Sequence, residues 1–310
     1  MSNINKKRGV SIQEIIDFLS KDILLIHGDP KGRYFQYLKD PRDVDEDTLD
    51  WIGSTRQDKQ NMAEASKAQA IIATSDLTYS DKLKVQGKLI LIVENPKLAI
   101  AKIGNAFFVD RVIPSIHPSA VIHSEAIIGR DVFIGPNVTI GKCIIGDRVE
   151  IHPNTVIYDD VVLSNNVHIY SNASIGIDGL GCEREEDGRL VKFPHLGRLI
   201  IENNVEIGAG CMIAKGGLSA TIIGSGTKIN AGCFIAHNGV LGRNVWISPK
   251  VNIAGSVKID DNVTIFSGAI IREQRKIGKG SIIGMGSIVT KNIPEGETWI
   301  GNPARKLEKR

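Results

Sequence analysis

The chain has 310 residues, enough for a domain or two. Its net charge of +3 comes from interspersed signs, so no basic stripe points to nucleic acid. Aromatics make up only 5% while glycines number 32, a balance that suits thin repetitive coils better than one bulky core.

The first ten residues, MSNINKKRGV, lack the apolar stretch of a signal peptide, and no later run is long enough to span a membrane. A cytoplasmic protein is the expectation. SIQEIIDFLSK predicts a helix with Ser11 as N-cap and Glu14 completing a capping box. AEASKAQAIIAT reads as a helix running into a short strand, KLILIVENP as a buried apolar run, and KLAIAKIGNAFF as a further helix. This alternation predicts a small α/β domain over residues 1–112.

From Ile116 onward an aliphatic residue returns every sixth position. Ile116, Ile122, Ile128, Ile134 and Ile140 begin the series, and a five-residue step then leads to Ile145 and on to Ile175. It resumes over Ile201, Ile207 and Ile213, skips to Ile223, and runs to Val289. Such hexads predict a parallel β-helix over 113–293, with three hexads per triangular coil and residues eighteen apart stacked on one face. Adjacent coils should lie about 4.8 Å apart.

Two breaks interrupt the period. Gly176 to Arg198 is too long, charged and glycine-rich for a coil and reads as a loop thrown out of the prism. Ala214 to Thr221 inserts four residues. Excursions from a regular scaffold are where function concentrates. The segment 294–310 leaves the repeat, is basic, and predicts a short helix or extended cap on the last coil.

The four cysteines, Cys143, Cys182, Cys211 and Cys233, show no metal-ligand spacing and read as reduced thiols without catalytic duty. His117, His123 and His152 each follow a hexad aliphatic by one place, so they point outward. His117 and His152 fall on one face two coils apart, roughly 10 Å, too far to share a metal without a third partner. No metal is expected.

His237 differs, because it follows Ile235 by two places, shortly after the four-residue insertion. Counting hexads puts Lys215 on the same face one coil earlier, Gly255 one coil later and Glu273 two coils later. A histidine can deprotonate an attacking amine or hydroxyl, and bare backbone at Gly255 lets a ligand approach and offers an amide to an oxyanion. From spacing alone, a plain surface histidine is the alternative.

The stretch from His117 to Ser256 resembles the UDP-3-O-acylglucosamine N-acyltransferases of lipid A biosynthesis. HPSAVIHSEAIIGRDVFIGPNVTIG is similar to that family's opening coils, and SIGIDGLG followed by LVKFPHLGRLIIENNVEIGAG to its long loop and re-entry. INAGCFIAHNGVLG is similar to the segment around its catalytic histidine. DWIGSTRQ and IVENPKLAIAKI extend the likeness more weakly into the first domain. The resemblance implies a left-handed β-helix that assembles as a homotrimer, with His237 as general base. It implies a nucleotide-sugar recognition domain carrying Trp51 at an aromatic position of its pocket. Asp178, Gly179, Gly181, Lys215 and Asn238 are expected on the acceptor side, and Ala254, Gly255, Glu273, Lys291 and Arg305 on the donor side.

Some positions depart from the family. Ala214-Lys215 stands where it shows an Asp-Arg pair, its second histidine falls near Gln274, and an aromatic that helps stack the uracil falls near Gln57. The helical C-terminal extension used with acyl carrier protein is not seen. The chain ends WIGNPARKLEKR, which resembles smaller hexapeptide acyltransferases that use coenzyme A. The expected activity is therefore N-acylation of a nucleotide-linked amino sugar by acyl-CoA, without a permanently bound cofactor. The alternatives are the lipid A enzyme itself, with an acyl carrier protein donor, and a non-catalytic scaffold that binds nucleotide sugars.

Overall fold

The computed structural model describes residues 9–308. Most of the N-terminal segment read for targeting, and the last two residues of the basic tail, lie outside the described residues. The chain divides into two compact units, Met1–Arg111 and Val112–Arg310.

In the first unit, Leu49–Trp51, Ala70–Ala73 and Leu89–Val93 run parallel, and Ile23–His27 joins antiparallel to Leu89–Val93. Alternate residues of the central strands enter opposite cores, as a two-fold side-chain period requires. Ile72, Leu89 and Leu91 pack with Ile12, Ile15, Ala99 and Ile103, while Ile71, Ile90 and Ile92 pack with Ala63 and Leu83. Helix Ile12–Leu19 starts at Ser11, whose side chain caps the Glu14 amide while the Glu14 carboxylate reaches back to the Ser11 amide at 2.9 Å. Helix Pro96–Ile103 is capped by Asn95 and runs into one wider π-turn, Gly104–Phe108, at the end of the segment read as a single helix. The ILLIH strand carries no alternating pattern, since Leu24, Leu25 and Ile26 all stay exposed, and only its pairing reveals it. Among the described residues no helix is long and apolar enough to cross a membrane.

The second unit is a left-handed parallel β-helix. Among the described residues its strands, mostly two residues long, stack into sheets of 11, 9 and 8 strands. The hexad aliphatics fill the interior: Ile151, Ile169, Ile207, Ile235, Ile253 and Ile271 are all fully buried. Ile116 is 52% exposed, because no coil stacks below the first rung. The five-residue step is absorbed as a seventeen-residue rung, with Ile134 paired to Ile151, and the next rung of that sheet, Ile151 to Ile169, returns to eighteen. His117 and His152 therefore sit two rungs apart on one sheet.

Three places after most hexad aliphatics, the chain turns the corner in the left-handed region. Asn137, Asn154, Asn166, Asn172, Asn238, Asn244 and Asn262 occupy it with φ near +60°, and glycines such as Gly210 and Gly232 do so elsewhere. Asparagine and glycine tolerate that conformation where other residues are strained. Asn172 is exposed at φ 61°. Asn172→Ala should therefore cost about 1–2 kcal/mol in chemical denaturation while Asn172→Gly stays near neutral; equal costs would refute corner strain as the cause.

The final residues cap the prism as an extended hairpin rather than a helix. Thr298–Ile300 adds to the 11-stranded sheet, Arg305–Lys306 folds back antiparallel, and Ala304 is buried against the core.

Candidate functional site

Both interruptions are ordered. The long one contains an antiparallel hairpin, Cys182–Arg184 with Leu190–Lys192, rather than a plain loop. Its return segment is bonded to the four-residue insertion through the backbone. The Leu196 amide donates to Gly217 O at 2.6 Å, the Gly197 amide to the same oxygen at 2.7 Å, and the Gly216 amide to Arg198 O at 3.1 Å.

His237 emerges at a corner of the prism beside this joint. Strand Phe234–Ile235 pairs with Asn252–Ile253 on one side and with Met212–Ala214 on the other. Gly255 thus lies one rung on, and a Cβ placed there would be 3.0 Å from both Cε1 and Nε2 of His237. Glu273 and Lys291 continue the column two and three rungs on, about 10 and 14 Å away. Glu273 is exposed and ion-paired with Arg272 at 2.8 Å. Ala254 precedes Gly255 in the rung and donates to Ile271 O at 3.0 Å. Arg305 lies in the terminal hairpin, exposed, and donates to Ala304 O.

Lys215 does not turn to His237. Its ammonium sits 3.2 Å from Asp160 and 3.8 Å from Asp178, and Lys192 holds Asp178 at 3.0 Å. The Lys192 ammonium, above all, keeps the Asp178 carboxyl below the usual carboxylate range, with Lys215 adding to it. Asn238 holds the insertion: its Oδ1 accepts from the Gly217 amide at 2.8 Å and from the Ser219 hydroxyl at 3.2 Å. Gly181 O accepts from the Phe193 amide at 2.8 Å, tying the start of the hairpin to its end. Trp51 belongs to the first unit, half-buried at the end of its strand. Cys233 points into the prism, its thiol donating to Ser248 O at 3.2 Å, away from the His237 face.

Sequence counting passed over His195. It lies in the aperiodic segment KFPHLGR, where no hexad frame assigns a direction. The only signal was a histidine inside the longer of the two breaks. It is 6% exposed, its ring 5.2 Å from that of His237 at an interplanar angle of 79°. Gly179 covers both rings: a Cβ on it would collide with His195 Nε2 and lie 3.0 Å from His237 Cδ2. Among the described residues, three buried side-chain nitrogen or oxygen atoms lack a hydrogen-bond partner, and two of them are His195 Nε2 and His237 Nδ1. Burial, with His195 adding to it, holds the His237 imidazole below the ordinary histidine value. A neutral imidazole facing a bare glycine beside two ordered excursions can take a proton from a bound nucleophile.

Residues 142–176 match the family model described as bacterial transferase hexapeptide (six repeats). The match falls within the hexapeptide-repeat solenoid. This hexapeptide solenoid is 36% identical over 132 residues to a UDP-3-O-acylglucosamine N-acyltransferase of Methylobacterium sp. (strain 4-46), covering 43% of this chain and 37% of that one. A protein of the same name from Caulobacter sp. (strain K31) is 35% identical over 134 residues, covering 43% and 39%. The chain thus spans under two-fifths of the length of these curated relatives. Among solved structures, UDP-N-acetylglucosamine acyltransferase from Francisella novicida is similar with 27% identity and a TM-score of 0.56, over 62% of this chain and 68% of that one.

The Gly255 geometry yields a direct prediction. Gly255→Ala brings a methyl group to the tight limit of contact with the His237 ring, so kcat/KM for the reaction proposed below should fall about tenfold through ring displacement, with Tm unchanged. Wild-type turnover in this variant would show that the open face is not used.

Proposed function

We propose that this protein transfers an acyl group from a thioester to the amine of a nucleotide-linked amino sugar. The observation that carries the reading is His237, half-buried, neutral, and open on the Gly255 side. In the reaction the amine nitrogen attacks the thioester carbonyl, His237 accepts the amine proton, and the Gly255 amide region stabilises the oxyanion as the thiolate leaves. Asp178, Gly179, Gly181, Lys215 and Asn238 form the acceptor side, and Ala254 with the column through Glu273 and Lys291 the donor side. Trp51 serves the nucleotide in the first unit.

The names of the matched relatives support UDP-3-O-acylglucosamine as acceptor, the lipid A-type alternative weighed from sequence. The donor is an acyl thioester, of either coenzyme A or acyl carrier protein. The homotrimer is part of the proposal: Tyr170, Trp246 and Phe266 leave one outer sheet face exposed and aromatic, and light scattering gives the mass.

The test incubates purified protein with UDP-3-O-acylglucosamine and a hydroxyacyl thioester of each carrier. Amide product by mass spectrometry with free thiol release is the expected result, and the faster carrier identifies the donor. No amide from either carrier would overturn the reading.

A further inference from the structure

The unpartnered nitrogens of His195 and His237 point to one shared explanation. His195 Nδ1 lies 3.2 Å from Phe193 O. A carbonyl oxygen can only accept, so Nδ1 carries the hydrogen, and in the neutral ring Nε2 is left as a lone pair. That lone pair is buried and has no donor. On the other ring, His237 Nδ1 is buried and unpartnered, while the carbon Cδ2 lies beside Gly179, 3.0 Å from the point where a Cβ there would also meet His195 Nε2.

A half-turn of the His237 ring about Cβ–Cγ exchanges Cδ2 with Nδ1 and Cε1 with Nε2 within the same volume. Two consequences follow. The Nδ1–H then faces the His195 lone pair. A nitrogen also stays on the open side, because Cε1 and Nε2 are equally 3.0 Å from the missing Gly255 side chain. The ring separation of 5.2 Å fits such a bond. With each nitrogen about 1.1 Å from its ring centre, two imidazoles joined by one N–H···N bond of about 2.9 Å stand close to this far apart.

We infer that His195 is a positioning residue for His237, its Nε2 accepting the His237 Nδ1–H in a chain that runs from His237 through His195 to the Phe193 carbonyl. The chain fixes the His237 tautomer with its lone pair on Nε2, toward Gly255, where the attacking amine arrives. It does for an imidazole what a carboxylate does in other base–orienter pairs. This inference rests on His237 as the general base, but its first test does not need turnover.

Selective ¹⁵N-histidine labelling, with the His237 signals assigned by their loss in His237→Ala, reads the tautomer directly. The expected result is a neutral His237 protonated on Nδ1 in the wild type and a mixture of tautomers in His195→Phe. A wild-type ring protonated on Nε2, or the same spectrum in His195→Phe, overturns the chain whatever the activity. In the acyl-transfer assay, His195→Phe should lower kcat about 10–100-fold with KM within about twofold, and His195→Gln, whose amide oxygen reaches the same point, should restore most of it. Equal loss in His195→Phe and His195→Gln would mean that His195 only fills space. If the wild type transfers no acyl group while the tautomer result holds, the reading of the reaction fails and the histidine chain stands.

Discussion

Replacing His237 with alanine is expected to lower kcat/KM for acyl transfer by about 10²–10⁴-fold, the range that a positioned general base contributes. The expectation follows from placement. The ring emerges at a corner of the prism, with the buried Ile235 and Ala236 before it and the left-handed Asn238 after it, so its removal leaves the hexad interior intact. Tm should therefore hold while turnover collapses. The pH dependence has a definite sign. Burial lowers the His237 pKa, so the free base persists below the ordinary value of about 6.5. The acid limb of kcat/KM should accordingly lie below pH 6.5, with a flat profile through neutrality. Retention of wild-type turnover in His237→Ala, or an acid limb above pH 7, would remove this residue from the chemistry.

Ile213→Ala should give the largest stability loss, about 2–5 kcal/mol by denaturant titration. Ile213 is fully buried and stacks between Ile175 and Ile235 in one column of the core. Rungs of a solenoid contact only their neighbours, so the missing volume cannot be filled from elsewhere. This rung also connects the two excursions, since Ile175 precedes the long one and Ile213 the short one. Thermal inactivation of turnover should thus begin at a lower temperature than in wild type. A cost under about 1 kcal/mol would mean that the prism collapses around the gap.

Legibility from sequence tracked the period. The hexad aliphatics gave the coils and their register, including the five-residue step, because each inward residue must be apolar and every rung repeats the demand. The placement of Gly255 beside His237 came from that counting alone. The corner positions carried a second signal, asparagine or glycine at most of the left-handed corners three residues after an aliphatic, for a backbone reason rather than a packing one. Counting stopped at Gly176. The hairpin within the first break depends on pairing between Cys182–Arg184 and Leu190–Lys192 across an exposed turn, which no core requires. His195 was out of reach because its neighbours come from three separate segments. Lys215 was placed in the correct column, but its ammonium turns to Asp160 and Asp178, carboxylates that a single column does not contain.

The backbone joint between the two excursions bears on how such a protein can change length. Any regular coil looks like the next, so a whole rung could be gained or lost far from His237 and leave the chemistry untouched. The segments 196–198 and 216–217 are different, because each supplies the other's hydrogen-bond partners. A deletion in one strips acceptors or donors from the other. Descendants of this chain can drift freely in the number of their rungs, while these two short stretches must be inherited together.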